Sequence, residues 1–276
     1  MKALVTGVAG FIGSHIAERL LNNGHEVFGI DNLSAGYRKN IPQNCTFIEW
    51  DVVRKLDESL LKNIDVVFHN AASKKNICLN DPERDLDVNG RGTLSLLLAC
   101  QKAGVKKFVH ASTGSVYGDV ERMTEQTICN PVSYYGVSKL AGERYVNMFP
   151  MDTTILRYFH VYGDRQESDP YLGGVVAVFK DLISKNEPIT IHGTGKQLRS
   201  FTHVSDIVEA NIQAWLQPIS KKKIYNVASC EYTSVLELAT RLGAKLIKYA
   251  APLEGDIFTF DIDNTLIRRE LGIKFT

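Results

Sequence analysis

The sequence predicts an α/β protein organised on a doubly wound parallel sheet, followed by a smaller mixed α/β region. Three observations predict it. Short apolar, β-branched runs alternate with helical patterns through the first half of the chain, the pattern of parallel strands covered on both faces. The first run leads through Gly7-Val8-Ala9-Gly10-Phe11-Ile12-Gly13 straight into the first helical pattern. The second run ends on an acid, Asp31, at a distance of about 20 residues from the loop. At 276 residues the chain exceeds the common single domain of about 100–200 residues, so one large or two intimately joined domains are expected.

Strands are expected at Lys2–Thr6, Glu26–Ile30, Thr46–Trp50, Asp65–His69, Lys107–Ala111 and Thr153–Arg157, with Ile224–Ala228 a candidate for one more. Between the first two, Phe11–Leu21 carries Ile12, Ile16 and Leu20 at helical spacing and stops at Asn22-Asn23-Gly24. Longer helices are expected over Arg84–Ala103, closed by Gly104, and over Tyr134–Phe149. After Phe159 the pattern loosens into loops rich in Gly, Asp and Pro, then a helix near Val204–Leu216. Lys221–Lys223 reads as a solvated turn. Asp261-x-Asp263-Asn264 lacks the glycine and terminal glutamate of a calcium loop, and a helix N-cap before Thr265–Leu271 explains it better.

A net charge of +1 gives no support to a nucleic-acid or polybasic membrane partner. Cys45, Cys78, Cys100, Cys129 and Cys230 are odd in number and scattered, which suits buried free thiols rather than a disulfide framework or zinc site. His110, His192 and His203 share no ligand spacing, so no metal is expected. His69 reads as a packed strand-end histidine. Met1-Lys2 runs directly into a strand-like segment, and no stretch approaches about 18 apolar residues. The expected location is the cytoplasm.

The glycine loop points to a dinucleotide. One glycine lets the chain reverse, a second admits a pyrophosphate to the backbone, and a third lets helix and strand pack closely, with the helix N-terminus facing the phosphates. A carboxylate at Asp31 accepts hydrogen bonds from the adenosine ribose hydroxyls and repels a 2′-phosphate. Asn32 and Leu33, which follow, offer no arginine for such a phosphate. The expected cofactor is NAD rather than NADP.

Tyr135-Gly136-Val137-Ser138-Lys139 places a phenol and an ammonium four residues apart, on one face of a helix. An ammonium near a phenol favours the phenolate, so a tyrosine that ordinarily titrates near pH ~10 can act as a base near neutrality. Alone the motif is weak, because Tyr-x-x-x-Lys also arises from a surface aromatic beside a solvated lysine.

Joined to the glycine loop, that pair resembles the short-chain dehydrogenase/reductase superfamily. The chain is similar to its extended branch of nucleotide-sugar epimerases and dehydratases over nearly its whole length, with a pattern nearest the UDP-glucose 4-epimerases. Asp31-Asn32-Leu33-Ser34-Ala35-Gly36, Asp51, His69-Asn70-Ala71-Ala72, Asn89-Gly90-Arg91-Gly92-Thr93, Leu156-Arg157-Tyr158-Phe159 and Val161-Tyr162-Gly163 carry the likeness in order. His192 to Arg199 and Tyr225-Asn226-Val227-Ala228 continue it. The resemblance implies a Rossmann domain over residues 1–160, to which segments near 196–228 return, and a mainly substrate-binding domain over 161–276. It implies cofactor contacts from Gly7, Gly10, Phe11, Ile12, Gly13, Asp31 and Asn32. Asp51 and Val52 belong to the same set by likeness, as do Ala71, Ala72, Lys74, Asn89, Tyr135 and Lys139.

In that family a Ser or Thr ending the fifth strand hydrogen-bonds the reacting oxygen beside the tyrosine. Thr113 falls on the position, with Ser112 as its fallback. Tyr135 as phenolate then takes a proton from a sugar hydroxyl while NAD takes the hydride, and Lys139 holds the nicotinamide ribose and depresses the tyrosine pKa. Related dehydratases carry Asp-Glu directly after the threonine, whereas this chain has Gly114 and Ser115, which disfavours elimination. Arg199 keeps the arginine expected on the nucleotide diphosphate, and His160 stands where an asparagine usually contacts substrate. Ser200, Ser205 and Leu253-Glu254 replace residues the family usually has. The expected activity is a 4-epimerase of a UDP-hexose, forming a homodimer through a four-helix bundle of Arg84–Ala103 and Tyr134–Phe149. The alternatives are an NDP-sugar reductase that exchanges NAD(H) and a non-catalytic binding protein.

Overall fold

The computed structural model describes residues 1–73, 80–170, 173–252 and 261–276. Seven strands form the central sheet: β1 (Lys2–Thr6), β2 (Glu26–Asp31), β3 (Thr46–Glu49), β4 (Val66–His69), β5 (Lys107–Thr113), β6 (Asp152–Tyr158) and β7 (Lys223–Val227). Their order is β7-β6-β5-β4-β1-β2-β3, with every neighbouring pair parallel. The candidate strand Ile224–Ala228 is therefore an edge strand, with Ile224 in register with Ile155. Strand order reverses between β1 and β4, and a crevice opens there beyond the carboxyl ends of the strands, where doubly wound sheets hold their ligands.

Alternation along each strand divides the core into two layers. Ala3, Val5, Phe68 and Val109 face α1 (Phe11–Asn22) and a later helix that supplies Ile207, Ala210 and Ala214. Leu4, Val67, Phe108 and Ile155 face the opposite layer, with Leu96, Leu97, Cys100 and Val146. Burial on both faces is why these strands read as near-continuous apolar runs.

The helix expected over Arg84–Ala103 is not one regular helix. It begins earlier, with α2 (Pro82–Leu86), where the Asp81 side chain accepts from the Arg84 N–H at 2.9 Å. It then passes through a π-helical turn over Asp87–Gly92 before α3 (Thr93–Ala103). The wide turn buries Asn89 and lets Gly92 pack so closely that a Cβ there would come within 3.1 Å of Val52 Cγ2. Beyond it, α4 (Tyr134–Met148) starts at the Ser133 cap, whose hydroxyl accepts from the Gly136 N–H at 3.1 Å.

A smaller cluster of Val176, Phe179, Ile189, Ile191, Leu238 and Ala239 forms around α5 (Val175–Ser184) and the parallel pair Ile189–His192 and Ile247–Ala250. The chain returns to the large sheet through α6 (Val204–Leu216) and β7. After α7 (Val235–Arg241) it ends with α8 (Thr265–Leu271), whose Ile267 and Leu271 join the first layer. The N-cap of α8 is Asn264, and the residue before it, Asp263, accepts the Thr265 N–H on its Oδ1 at 2.8 Å. Lys221–Lys223 is not simply a solvated turn. Lys222 donates to the Phe149 carbonyl, and Lys223 opens β7 and donates to Glu270 Oε1 at 2.6 Å. Among the described residues no helix is long and apolar enough to cross a membrane.

Candidate active site

A cleft of about 530 Å³ runs along the switch point. Its floor is the glycine loop. Gly7 sits at φ +73° and donates its N–H to the Ile30 carbonyl at 2.8 Å. A Cβ on Gly13 would lie 2.2 Å from the Gly7 carbonyl oxygen, so only glycine lets α1 seat against the loop. No acid occupies the first turn of α1, which leaves the positive end of the helix dipole facing the cleft.

The cleft is lined by Gly7, Gly10, Phe11, Ile12 and Gly13, by Asp31 and Asn32, and by Asp51, Val52, Ala71 and Ala72. Asp31 accepts the Ala9 N–H at 3.0 Å and the Leu33 N–H at 2.8 Å; burial pushes its carboxyl up, and those backbone bonds work against the rise. Asp51 accepts the Val53 N–H at 3.0 Å, Asn32 Nδ2 at 3.1 Å and Arg84 Nη2 at 2.6 Å. Burial opposes its charge, but the Val53 N–H and the Arg84 guanidinium outweigh it and hold this carboxyl below its ordinary value. Arg84 also lines the cleft, and nothing in its local sequence marks it out. Tyr37, Arg165 and Glu167 are further wall residues of the same kind.

At the other end, α4 presents Tyr135 and Lys139 to the cleft. Lys139 is 3% exposed and donates to the Ala111 carbonyl at 2.6 Å. Burial pulls its ammonium down to about 8, against the opposing charges of Glu143 and Asp85. One turn on, Glu143 accepts Ser112 Oγ at 2.6 Å and two bonds from Arg157. Arg157 in turn lies 4.6 Å from the ring centroid of Tyr117, whose hydroxyl donates to Asn226 at 2.7 Å. The hydroxyl of Ser112 is thus committed beneath the helix, and Thr113 remains the better candidate for a reacting oxygen. Thr113 accepts the Ser115 N–H at 3.2 Å and stands just outside the cleft wall, which Ala111 and Ser112 form.

Other expected residues lie elsewhere. Asn89 is fully buried and does not line the cleft: it accepts the Ser73 N–H at 3.0 Å and donates to Asp85 and to Ser138 on α4, bracing the cleft wall against the helix. Arg199 donates to the Leu198 carbonyl at 2.7 Å, and His160, at φ +38°, packs edge-on against Phe201; neither reaches this cleft. Lys74 and Leu253-Glu254 lie outside the described residues. His69 is the packed histidine expected, held by the hydroxyls of Thr6 at 2.7 Å and Thr93 at 2.9 Å, and burial lowers its pKa to about 3. At Gly114 a Cβ would fall 2.2 Å from the ring of Phe159, so the place of a dehydratase acid is filled as well as empty of charge.

The profile of the NAD dependent epimerase/dehydratase family matches residues 3–228. The UDP-glucose 4-epimerase of Mycolicibacterium smegmatis is 36% identical over 295 residues, covering 99% of this chain and 93% of that protein. The crystal structure of Thermotoga maritima UDP-glucose 4-epimerase with UDP-glucose is 34% identical and superposes with a TM-score of 0.92, covering 100% of this chain and 94% of that one. The structure of the Thermus thermophilus UDP-glucose 4-epimerase with NAD is 35% identical with a TM-score of 0.90, covering 99% and 94%.

Proposed function

The chain belongs to the NAD dependent epimerase/dehydratase family, and on that premise we propose that it inverts carbon 4 of a UDP-hexose by way of a 4-keto intermediate. The observation that carries this reading is the arrangement of one cleft, with a glycine loop and Asp31 at one end and the Tyr135–Lys139 pair at the other. NAD fits the loop's own features: a reversal at Gly7 that needs φ +73°, a Gly13 without which α1 could not seat against the loop, and a helix N-terminus without an acid. Bound there, NAD supplies the hydride acceptor for oxidation and the donor for reduction.

Tyr135 removes the proton of the sugar hydroxyl and returns it after the keto sugar has turned its other face. Lys139, one helical turn away, favours the phenolate through its charge. Thr113 is the hydroxyl proposed to hold the reacting oxygen. Glycine at 114 and serine at 115 put no proton-transfer group at the two places from which water would be eliminated across carbons 5 and 6. Asp31 selects NAD, and His160, the last residue of the first domain, and Arg199 are proposed to meet the sugar nucleotide beside the mainly substrate-binding domain, 161–276. Exposed Leu98 on α3 and Val137 and Met148 on α4 support a homodimer through a bundle of those helices; a monomer at micromolar concentration would refute it.

The test is a screen of NDP-sugars for the carbon-4 epimer, with bound cofactor identified by mass after denaturation. Epimerised UDP-hexose with retained NAD is expected from the native protein. Tyr135→Phe should abolish turnover while leaving NAD bound. Near-normal turnover by that variant overturns the mechanism, and loss of NAD on gel filtration favours an exchanging reductase.

A further inference from the structure

The outer wall of the cofactor cleft is built from segments far apart in the chain. Residues 163–170 cross from the end of the sheet to the glycine-loop side and are tied down at three points. His15 Nε2 lies 2.8 Å from the Asp164 carbonyl oxygen. Arg165 donates to both carboxylate oxygens of Glu18 at 2.8 and 2.7 Å, and to Ser14 Oγ at 3.3 Å. Tyr37 donates its hydroxyl to Glu167 Oε2 at 2.5 Å. Tyr37 is itself anchored to the loop, its N–H donating to the Ala9 carbonyl at 3.0 Å.

The segment is braced from within. Glu167 Oε1 accepts the N–H groups of Ser168 at 2.9 Å and Asp169 at 3.0 Å, which aims its second oxygen at Tyr37. Gln166 Nε2 donates to the Val161 carbonyl at 2.7 Å. Arg165 stands at φ +64°, a left-handed conformation that a non-glycine residue keeps only when its contacts over-determine it. That backbone turn returns the guanidinium to α1. Tyr37, Arg165 and Glu167 all line the cleft, whereas Glu18 does not.

We propose that Tyr37, Arg165 and Glu167 are cofactor-retaining residues: linked to Glu18 and to the glycine loop, they close the side of the cleft through which NAD leaves, and set how slowly it does so. This rests on the reading of the cleft as the NAD site. An NAD molecule seated on the loop leaves only after the Arg165–Glu18 and Tyr37–Glu167 contacts part, so the bonds of the wall act on the release rate. A retained cofactor is what an epimerase needs, because the same NADH must wait while the keto sugar turns over.

The test is a chase of isotope-labelled NAD from the full chain by excess unlabelled NAD, for wild type, Glu18→Gln, Tyr37→Phe and the double variant. Each single change is expected to speed release about threefold to fivefold, the weight of one solvent-screened contact, and the double more than either. Glu18→Gln is the decisive variant, since its side chain is outside the cleft and acts on the wall only through what it holds there, Arg165 and, at 3.9 Å, His15, which itself ties Asp164. Release within twofold of wild type in the double variant, with thermal melts unchanged or lowered, overturns the proposal and leaves the epimerase reading intact. Accelerated release from a protein that epimerises no sugar supports the proposal and defeats that reading. A wild-type protein that neither retains nor rebinds NAD overturns both.

Discussion

Arg157 on β6 grips Glu143 on α4 through two parallel bonds, Nε to Oε1 at 2.9 Å and Nη2 to Oε2 at 2.7 Å, with the side chains 3% and 2% exposed. Tyr135, Lys139 and Glu143 follow one another at four-residue steps on the same helix face, so the ion pair fixes the helix that carries the proposed base. Removing one partner strands a charge in the core. Glu143→Ala is expected to cost about 3–5 kcal/mol, and Glu143→Leu with Arg157→Met to recover most of that loss. Chemical denaturation measures it; a cost below about 1 kcal/mol for Glu143→Ala would contradict a buried, paired charge.

Lys139 sets a pH dependence. Its ammonium is pulled from an ordinary 10.5 to about 8 by burial, so turnover should fall as pH rises through about 8 and the charge beside Tyr135 is lost. Stability moves the opposite way. Between about 8 and 10.5 the unfolded chain holds this proton and the folded chain does not, so this lysine makes stability rise with pH across that window. Lys107, also lowered by burial, adds a slope of the same sign, so the readout is the difference between wild type and Lys139→Met. Equal slopes in the two proteins would sink the prediction.

Asp31 carries the choice of cofactor. Asp31→Asn keeps the bonds to Ala9 and Leu33 only in part and removes the charge that repels a 2′-phosphate. NAD affinity is expected to fall about tenfold, with NADP binding gained or unchanged, as suits the loss of one charged hydrogen bond. Titration of both cofactors checks this, and an undiminished preference for NAD would show that another group discriminates.

Gly114 explains why an acid is not easily restored there. Gly114→Ala should destabilise the protein by about 1–3 kcal/mol through overpacking against Phe159, and Gly114→Ala with Phe159→Leu should recover part of it. A neutral Gly114→Ala, measured by thermal unfolding, would mean that Phe159 yields without cost.

The strands were legible because a parallel strand buried on both faces announces itself as an apolar run, and the edge strand at Ile224 showed it only in part, through Ile224, Tyr225 and Val227 with Asn226 between them. The π-helical turn at Asp87–Gly92 was not legible, because one residue added to a turn leaves the apolar spacing of its flanks intact. At the site, the glycine loop, Asp31 and the Tyr135–Lys139 pair are each local motifs, and each lines the cleft. Arg84 is 33 residues from Asp51 and Glu167 is 130 from Tyr37, separations at which sequence holds no record of a hydrogen bond. Asn89 was legible as a motif, yet the structure makes it a brace between Ser73 and Ser138 rather than part of the wall.

By itself the sequence determined the doubly wound sheet, the dinucleotide loop and the Tyr135–Lys139 spacing, because each depends on chirality, periodicity and neighbours within a turn or two of chain. The tertiary structure alone decided that Lys139 is sealed against Ala111, that Arg157 and Ser112 share Glu143, and that Arg165 reaches back to Glu18. Charge, burial and closure are properties of the space that distant segments enclose together, and they exist only once the chain has brought those segments into contact.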